Sequence, residues 1–144
     1  MNLYGPRDNV DLEMSHVIPA MIRKFIEASA RGDKEVVLWG DGSPTREFLY
    51  VDDAYRRCCS LRSATTAASP VNVGAGFEIT IRTLAELVSK LTGYRGTLAR
   101  CVGTSRAPTA SLAASWTTLA KERFGFESTT PLEDGLAKTI AWYT

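Results

Sequence analysis

One arginine lies in a segment whose residue types are typical of a ligand-binding loop. Arg46 closes the run Trp-Gly-Asp-Gly-Ser-Pro-Thr-Arg, in which an apolar stretch ending at Trp39 gives way to turn-forming residues. A planar guanidinium pairs with two phosphate oxygens at once, so an arginine in an ordered polar loop suits a phosphate-bearing ligand. The same residues are equally compatible with a surface hairpin that carries an incidental arginine. Local chemistry leaves both interpretations open.

The single histidine, His16, is the second side chain whose chemistry suits catalysis. An imidazole titrates near neutral pH and can both give and take a proton. His16 lies beside the predicted start of an apolar helix, where a histidine more often has a structural role. Its position alone therefore does not favour catalysis. No group of cysteines and histidines has the spacing of a metal site.

Composition argues against several classes of function. A net charge of +1, without a basic stripe and interleaved aromatic residues, gives no reason to expect a nucleic acid as partner. No apolar run approaches the roughly 20 residues that cross a bilayer, so no membrane partner is expected. Three cysteines, two of them adjacent, do not form a disulfide framework. This usage favours a reducing compartment and a cytoplasmic location.

Along the chain, short apolar runs typical of strands alternate with stretches whose apolar residues have helical spacing. This alternation predicts an α/β fold whose strands and helices position these residues. Strands are expected at residues 2–6, 36–39, 48–51, 71–73 and 97–99. Helices are expected between residues 15 and 32, 53 and 59, 80 and 93, and 118 and 124, and after residue 130.

Capping residues define several of these helix ends. Ser15 is a possible cap of the first helix, and Asp52 and Asp53 are expected to accept from the first-turn amides of the second. Thr80 and Gly93 are expected to bound the third. The last helix has the sequence of a capping box, with Thr130 followed by Glu133.

Four segments resemble the C-terminal part of the GDP-L-fucose synthase family of extended short-chain dehydrogenases. They are Asn-Leu-Tyr-Gly-Pro (2–6), Ser-His-Val-Ile-Pro-Ala-Met-Ile-Arg-Lys-Phe (15–25), Val-Val-Leu-Trp-Gly-Asp-Gly-Ser-Pro-Thr-Arg-Glu-Phe-Leu-Tyr-Val-Asp-Asp (36–53) and Val-Asn-Val-Gly-Ala-Gly (71–76). The resemblance implies that residues 1–144 contain the last strands of a Rossmann-type sheet and a small α/β substrate-binding lobe. It also implies that the chain is truncated, with the N-terminal dinucleotide-binding part absent.

The resemblance implies an activity, which is the NADPH-dependent epimerisation and reduction of GDP-4-keto-6-deoxy-D-mannose to GDP-L-fucose. His16 matches the family's acid/base histidine. Val17, Lys24, Trp39 and Arg46 match positions that hold the GDP part of the substrate. Asn2 falls where related enzymes place an amide near the diphosphate. The family's enzymes form homodimers, mainly through helices of the missing half.

The parts of the family's machinery that hold NADP are not found in this sequence. There is no glycine-rich phosphate loop between a strand and a helix, and the Ser…Tyr-x-x-x-Lys set is absent. The cysteine that works opposite the histidine is not matched by Cys58, Cys59 or Cys101. The fragment alone is therefore expected to be inactive. A non-catalytic GDP-sugar-binding lobe and a non-functional remnant stay open as alternatives.

Residues 60–69 and 101–116 depart from the family, and both departures are explained by a shift of the reading frame. Read one base out of register with permitted codons, residues 108–117 give Asn-Gly-Gln-Pro-Arg-Arg-Lys-Leu-Asp, which matches the family's basic loop. The same shift after Cys59 gives Leu-Ala-Thr-Glu-Arg-Tyr-Asp-Ser-Ser-Glu-Pro. We therefore hypothesise two compensated frame slips, with ordinary divergence as the alternative.

Overall fold

The computed structural model describes residues 2–38, 40–64, 74–100 and 128–144, with the backbone alone for residues 57, 58, 60–64 and 100. The strand predicted at 71–73, the helix predicted at 118–124 and the hypothesised frame-shifted segment 101–116 lie outside the described residues. Of the other hypothesised segment, only the backbone of residues 60–64 is described. Trp39 also lies outside them.

Six short strands form three two-stranded sheets within the described residues. Strand β1 (Asn2–Tyr4) pairs in parallel with β4 (Phe48–Tyr50), and β2 (Glu35–Leu38) pairs in parallel with β6 (Thr97–Arg100). Strand β3 (Thr45–Arg46) pairs antiparallel with β5 (Ile79–Thr80). Because β2 and β4 pair with other strands and not with each other, the hairpin interpretation of the Arg46 segment is wrong.

Four helices accompany the strands in the ranges that the structure describes, and together they confirm the predicted α/β fold. They are α1 (Val17–Arg31), α2 (Val51–Ala64), α3 (Ile81–Thr92) and α4 (Leu132–Tyr143). Helix α1 packs against α3, and α3 packs against α4. Among the described residues, none of the helices combines the length and the apolar character needed to cross a membrane.

The glycine and threonine caps were predicted correctly, whereas the serine cap was not. Gly32 and Gly93 end α1 and α3 with φ of 72° and 70°, a left-handed conformation that glycine adopts without steric cost. The Thr80 hydroxyl accepts from the Thr83 amide over 3.1 Å. The N-cap of α1 is His16 and not Ser15, and it makes no side-chain capping bond. The Ser15 hydroxyl oxygen is buried without a partner among the described residues.

A buried carboxylate joins α2 to the start of α4. Asp53 is 3% exposed and accepts five hydrogen bonds of 2.9–3.1 Å from Ser128, Thr129 and Thr130. Three of these donors are hydroxyls and two are backbone amides. The prediction that Asp53 caps its own helix is therefore wrong, because its oxygens are occupied by residues 75 to 77 positions further along the chain.

The same contact accounts for the failure of the predicted capping box. The Thr130 hydroxyl bonds to Asp53, and Glu133 pairs with Lys90 of α3 over 3.1 Å. Pro131 is the N-cap of α4 and makes no side-chain bond. The start of α4 is thus fixed by the Asp53 carboxylate of α2 and not by a capping side chain of α4 itself.

Helix α4 lies unusually close to the paired strands β1 and β4. A β-carbon on Gly135 would meet the Tyr4 hydroxyl and would lie 2.9 Å from Tyr4 Cζ and 3.0 Å from Tyr50 Cδ2. The Tyr4 hydroxyl donates to the Leu132 carbonyl over 3.4 Å, and burial raises the pKa of this phenol. Only glycine permits the observed distance between the helix backbone and the two tyrosine rings.

The interior is continuous across these elements. Its fully buried side chains come from all the layers. They include Ile18, Met21, Ile22 and Phe25 of α1, Leu49 of β4, Leu84 and Val88 of α3, and Leu136 of α4. The predicted apolar faces of α1, α3 and α4 are thereby confirmed.

Replacing Asp53 with Asn should lower the free energy of unfolding by about 2–4 kcal/mol, because an amide nitrogen cannot accept the bonds of the oxygen that it replaces. Asp52→Asn, at the exposed neighbouring position, should change it by less than about 0.5 kcal/mol. Urea unfolding measures both variants. Equal losses in the two variants would contradict the structural role of the buried carboxylate.

The stabilisation from Asp53 should also depend on pH. Burial alone would raise the pKa of Asp53, but the hydrogen bonds from Thr130, Thr129 and Ser128 outweigh it, and the pKa is lowered. The folded state then binds fewer protons than the unfolded state, so this stabilisation is complete above about pH 4 and declines as the pH falls below that value. The decline should be absent from Asp53→Asn.

Gly135→Ala should destabilise the chain by about 1–3 kcal/mol, because overpacking against Tyr4 and Tyr50 exceeds the helix-propensity gain of about 1 kcal/mol. Ala141→Ser, at an exposed position of the same helix, is the matched control and should cost less than about 0.5 kcal/mol. Thermal or urea unfolding distinguishes the two. A Gly135→Ala variant as stable as the parent would mean that α4 does not approach the strands so closely.

Candidate active site

An open cavity of about 430 Å³ brings together two of the residues singled out from the sequence. Asn2 lies on β1, and His16 lies at the N-terminus of α1. Both line this cavity with the exit of β1 (residues 3–8) and Val51 of α2. The β1 exit passes so close to Val51 that a β-carbon on Gly5 would lie 3.2 Å from Val51 Cβ. The site therefore lies where the carboxyl end of β1 meets the start of two helices.

The loop that delivers His16 is ordered by its own short polar side chains. The Asp8 and Asn9 side chains accept from the Asn9 and Asp11 amides over 2.8 and 3.0 Å. Asp11 Oδ1 accepts from the Glu13 and Met14 amides, each over 2.9 Å. These bonds lower the pKa of Asp11, with the Met14 amide as the largest cause. A chain of side chain–backbone turns of this kind holds an exposed loop in one conformation.

The His16 side chain faces solvent, and its ring makes no hydrogen bond within the described part of the chain. Its backbone is extended, with φ −71° and ψ 169°, and its carbonyl accepts from the Ala20 amide over 3.2 Å. The side chain is exposed and makes no hydrogen bond to the other described residues. An accessible imidazole at the rim of a cavity is able to exchange protons with a bound ligand.

Asn2 is held by Glu47, the residue that directly precedes β4, the strand paired with β1. Both its backbone amide and its side-chain Nδ2 donate to the Glu47 carbonyl, over 2.9 and 3.3 Å. Because a carbonyl only accepts, the amide group of Asn2 must turn its nitrogen toward Glu47. Its Oδ1 and second amide hydrogen have no partner among the described residues, so they are available to a ligand in the cavity.

Arg46 lies beside this junction, on β3. It is half-buried, faces Ile79 across the β3–β5 ladder, and donates from Nη1 to the Thr45 carbonyl over 2.8 Å. A guanidinium carries five N–H donors, and the other four have no partner in the described ranges. Arg46 does not line the cavity that contains His16. It is linked to Asn2 through the intervening residue Glu47.

The remaining predicted contacts lie further along α1 and β2. Val17 is half-buried and packs against the hydrophobic core. Lys24 Nζ donates to the Val37 carbonyl of β2 over 3.2 Å, which places its charge two residues before Trp39. Neither Val17 nor Lys24 lines the His16 cavity. Trp39 lies outside the described residues.

Within the described ranges, the residues do not fit a dinucleotide cofactor or a metal ion. The glycine-containing turn 74–76 lacks the pattern of a phosphate loop, and its Gly76 amide already donates to the Glu47 carboxylate over 3.0 Å. The first amides of α3 donate to the Pro44 and Gly42 carbonyls, each over 3.0 Å. No group of three or more metal-ligating side chains occurs in the described part. No step of a reaction is assigned to NADP on these residues.

Comparison with known sequences identifies the class to which this fold and site belong. The pattern of the NAD dependent epimerase/dehydratase family matches residues 1–74, which is more than half of the chain. The chain belongs to this family.

Several individual relatives of the chain are named GDP-L-fucose synthases. The chain is 44% identical over 142 residues to the probable GDP-L-fucose synthase 1 of Oryza sativa and 45% identical over 143 residues to GDP-L-fucose synthase 1 of Arabidopsis thaliana. It is 38% identical over 151 residues to the Escherichia coli enzyme. Each alignment covers 99% of this chain but only 42%, 43% and 46% of the relative. The chain thus spans less than half the length of these relatives.

Solved structures show the same relationship. A GDP-L-fucose synthetase from Naegleria fowleri bound to NADP superposes with a TM-score of 0.86 at 25% identity. A UDP-glucose 4-epimerase from Thermotoga maritima with UDP-glucose superposes with a TM-score of 0.81 at 29% identity. Both cover 99% of this chain and 43% of the solved chain. The predicted resemblance and the Rossmann-type fold class are confirmed.

The sequence interpretation missed three residues that shape the site. Arg7 and Asp8 line the cavity, and Arg7 adopts φ 69°, a conformation that non-glycine residues reach only with strain. Glu47 joins Asn2 to the turn 74–76. The sequence signals were a polar pair directly after the Gly-Pro turn and a second charge beside Arg46, between two apolar runs.

Asp11→Ala should loosen the loop that carries His16, because the Glu13 and Met14 amides lose their acceptor. Their hydrogen exchange, measured by NMR at neutral pH, should become faster. Asp11→Asn keeps an acceptor oxygen and should retain most of the protection. Unchanged exchange in Asp11→Ala would show that these turns do not order the loop.

Proposed function

We propose that this chain forms the substrate-binding portion of a GDP-L-fucose synthase and corresponds to the C-terminal part of that enzyme. The observation that carries the proposal is identity of 38–45% to three enzymes of that name across 99% of the chain. The proposal is supported by His16, which is exposed, and Asn2, which is half-buried, because both line one cavity beside the exit of the parallel strand β1. Ligands of open α/β sheets bind at such edges.

In this proposal His16 is the acid/base residue that exchanges protons with the sugar during epimerisation. Abstraction of a proton beside a carbonyl needs an accessible base with a pKa near neutrality. Imidazole side chains ordinarily have such a pKa. The hydrogen bonds of the Asp8–Met14 loop keep the backbone of His16 in place without engaging its ring. The ring therefore stays available to the substrate.

The GDP part of the substrate is assigned to the residues on the other side of the site. Arg46 has four uncommitted N–H donors among the described residues for the diphosphate, and Asn2 supplies an oxygen and an N–H. Lys24 adds a positive charge near the end of β2. Trp39 offers a flat apolar surface to the base or sugar, and Val17 completes the contact set. Each of these roles rests on the match to the family's positions.

The complete enzyme is proposed to use NADPH, which would be held mainly by parts of the enzyme that this chain does not contain. The Naegleria fowleri relative is a structure with NADP bound, whereas the described residues here offer no dinucleotide site. A homodimeric state and a cytoplasmic location are proposed for the complete enzyme on the same resemblance.

A second candidate function is GDP-sugar binding without catalysis. It is favoured by the uncommitted donors of Arg46 and Asn2 among the described residues, which suit a diphosphate whether or not a reaction follows. This candidate keeps the roles of Arg46 and Asn2 and removes the one proposed for His16.

The proposal is tested with a chimera that joins this chain to the remainder of Arabidopsis thaliana GDP-L-fucose synthase 1, in place of the region that it matches. We expect the chimera to oxidise NADPH in the presence of GDP-4-keto-6-deoxy-D-mannose and to form GDP-L-fucose. His16→Gln should lower this rate about 10²–10⁴-fold, the usual contribution of an acid/base group. Glu13→Gln, on the same loop, should change it by less than about threefold.

A folded chimera that binds NADPH and leaves the keto sugar unchanged would contradict the catalytic proposal. Equal activity of the parent and His16→Gln would contradict the role of the histidine. If the isolated chain nevertheless binds GDP, the binding-lobe candidate remains.

A further inference from the structure

The residue between Arg46 and Phe48 makes contacts to three separate parts of the site. The Glu47 carbonyl accepts from the backbone and side-chain nitrogens of Asn2, and the Glu47 carboxylate accepts from the Gly76 amide. Arg46 is its covalent neighbour. No other residue in the described ranges touches both Asn2 and the turn 74–76 through hydrogen bonds.

The carboxylate is fitted closely against the turn that it binds. Gly74 is buried, and a β-carbon on it would meet Glu47 Oε1 and would lie 2.9 Å from Cδ and 3.0 Å from Oε2. Gly76 adopts φ 80°, which turns its amide in a direction that residues with side chains rarely allow. The absence of a side chain at Gly74 and the left-handed conformation at Gly76 together make room for the carboxylate.

A second carboxylate, that of Glu78, binds Thr45 on the other side of Arg46. The Thr45 hydroxyl donates to Glu78 Oε2 over 2.8 Å, and Thr45 and Arg46 pair with Thr80 and Ile79. The backbone on both sides of Arg46 is therefore fixed to residues 76–80. A guanidinium on a backbone held in this way loses less entropy when it binds an anion.

We propose that Glu47 is a positioning residue for the nucleoside-diphosphate-binding surface. Its carboxylate fixes the turn 74–76 to the strand that carries Arg46, and its carbonyl turns the Asn2 amide so that Oδ1 faces the cavity. This inference rests on the proposed function, since it concerns the residues assigned to the diphosphate. Glu47 touches no ligand in this scheme and acts through Arg46 and Asn2.

Two substitutions that disrupt the contact between Glu47 and the turn 74–76 from opposite sides should weaken GDP binding equally. Glu47→Ala removes the carboxylate, and Gly74→Ala displaces it. Each should raise the Kd for GDP of the 144-residue chain about tenfold, as measured by isothermal titration calorimetry. Glu47→Gln keeps an oxygen that accepts from the Gly76 amide, so it should restore the Kd to within about threefold of the parent. Glu133→Ala, an exposed carboxylate on α4, is the control and should leave the Kd unchanged.

A double-mutant cycle separates positioning from a general loss of structure. If Glu47 acts through Arg46, the variant Arg46→Ala/Glu47→Ala should bind GDP no more than about twofold more weakly than Arg46→Ala alone. A merely structural role predicts that the two losses add, together with a lower urea midpoint in Glu47→Ala and no rescue by Glu47→Gln.

The outcomes also separate this inference from the proposed function. GDP binding by the parent chain with an unchanged Kd in Glu47→Ala and Gly74→Ala overturns the role of Glu47 and leaves the proposed function standing. Additive losses in the cycle overturn it equally. No GDP binding by a folded parent chain overturns the role of Glu47 and the binding-lobe candidate, because the chain then has no diphosphate site for Glu47 to organise. The activity of the chimera decides the catalytic proposal separately.

Discussion

The Asp53 carboxylate is the interaction on which the arrangement of the described elements depends. It accepts bonds from three consecutive residues just before α4 and so fixes where that helix starts. From this start, α4 reaches the paired strands β1 and β4 at a distance that only Gly135 permits, and it completes the core against α3. A buried carboxylate is costly to desolvate, and five donors within 3.1 Å are what make it tolerable here.

Strand β4 connects the Asp53 contact to the proposed site. Strand β4 lies between Asp53 and Glu47, and it pairs with β1, which carries Asn2. The side that carries His16 is built from an exposed loop ordered by its own Asp and Asn side chains. The side that carries Arg46 is built from a half-buried ladder and the Glu47 contact.

Local patterns in the sequence predicted much of this fold. The apolar periods of α1, α3 and α4 and the glycines that end α1 and α3 are short-range signals, and the structure confirms them. The failures at Asp53, Thr130 and Glu47 involve partners far along the chain, whereas the Ser15 cap failed locally because His16 is the N-cap of α1. Asp53 and Thr130 looked like local caps because their 77-residue separation hid the bond between them. Strand β3 was missed because two residues carry no periodicity, and Glu47 was missed because its partners are at positions 2 and 76.

The central claim is that these residues form one face of a GDP-sugar site, with Arg46 on the diphosphate and His16 across the cavity. A crystal structure of the chain grown with GDP tests it most directly. We expect diphosphate oxygens within hydrogen-bond distance of the Arg46 guanidinium, with the Asn2 amide beside them and His16 facing the open end. GDP bound instead in the separate cavity of about 250 Å³ beside Arg82, with Arg46 and Asn2 unoccupied, would contradict it.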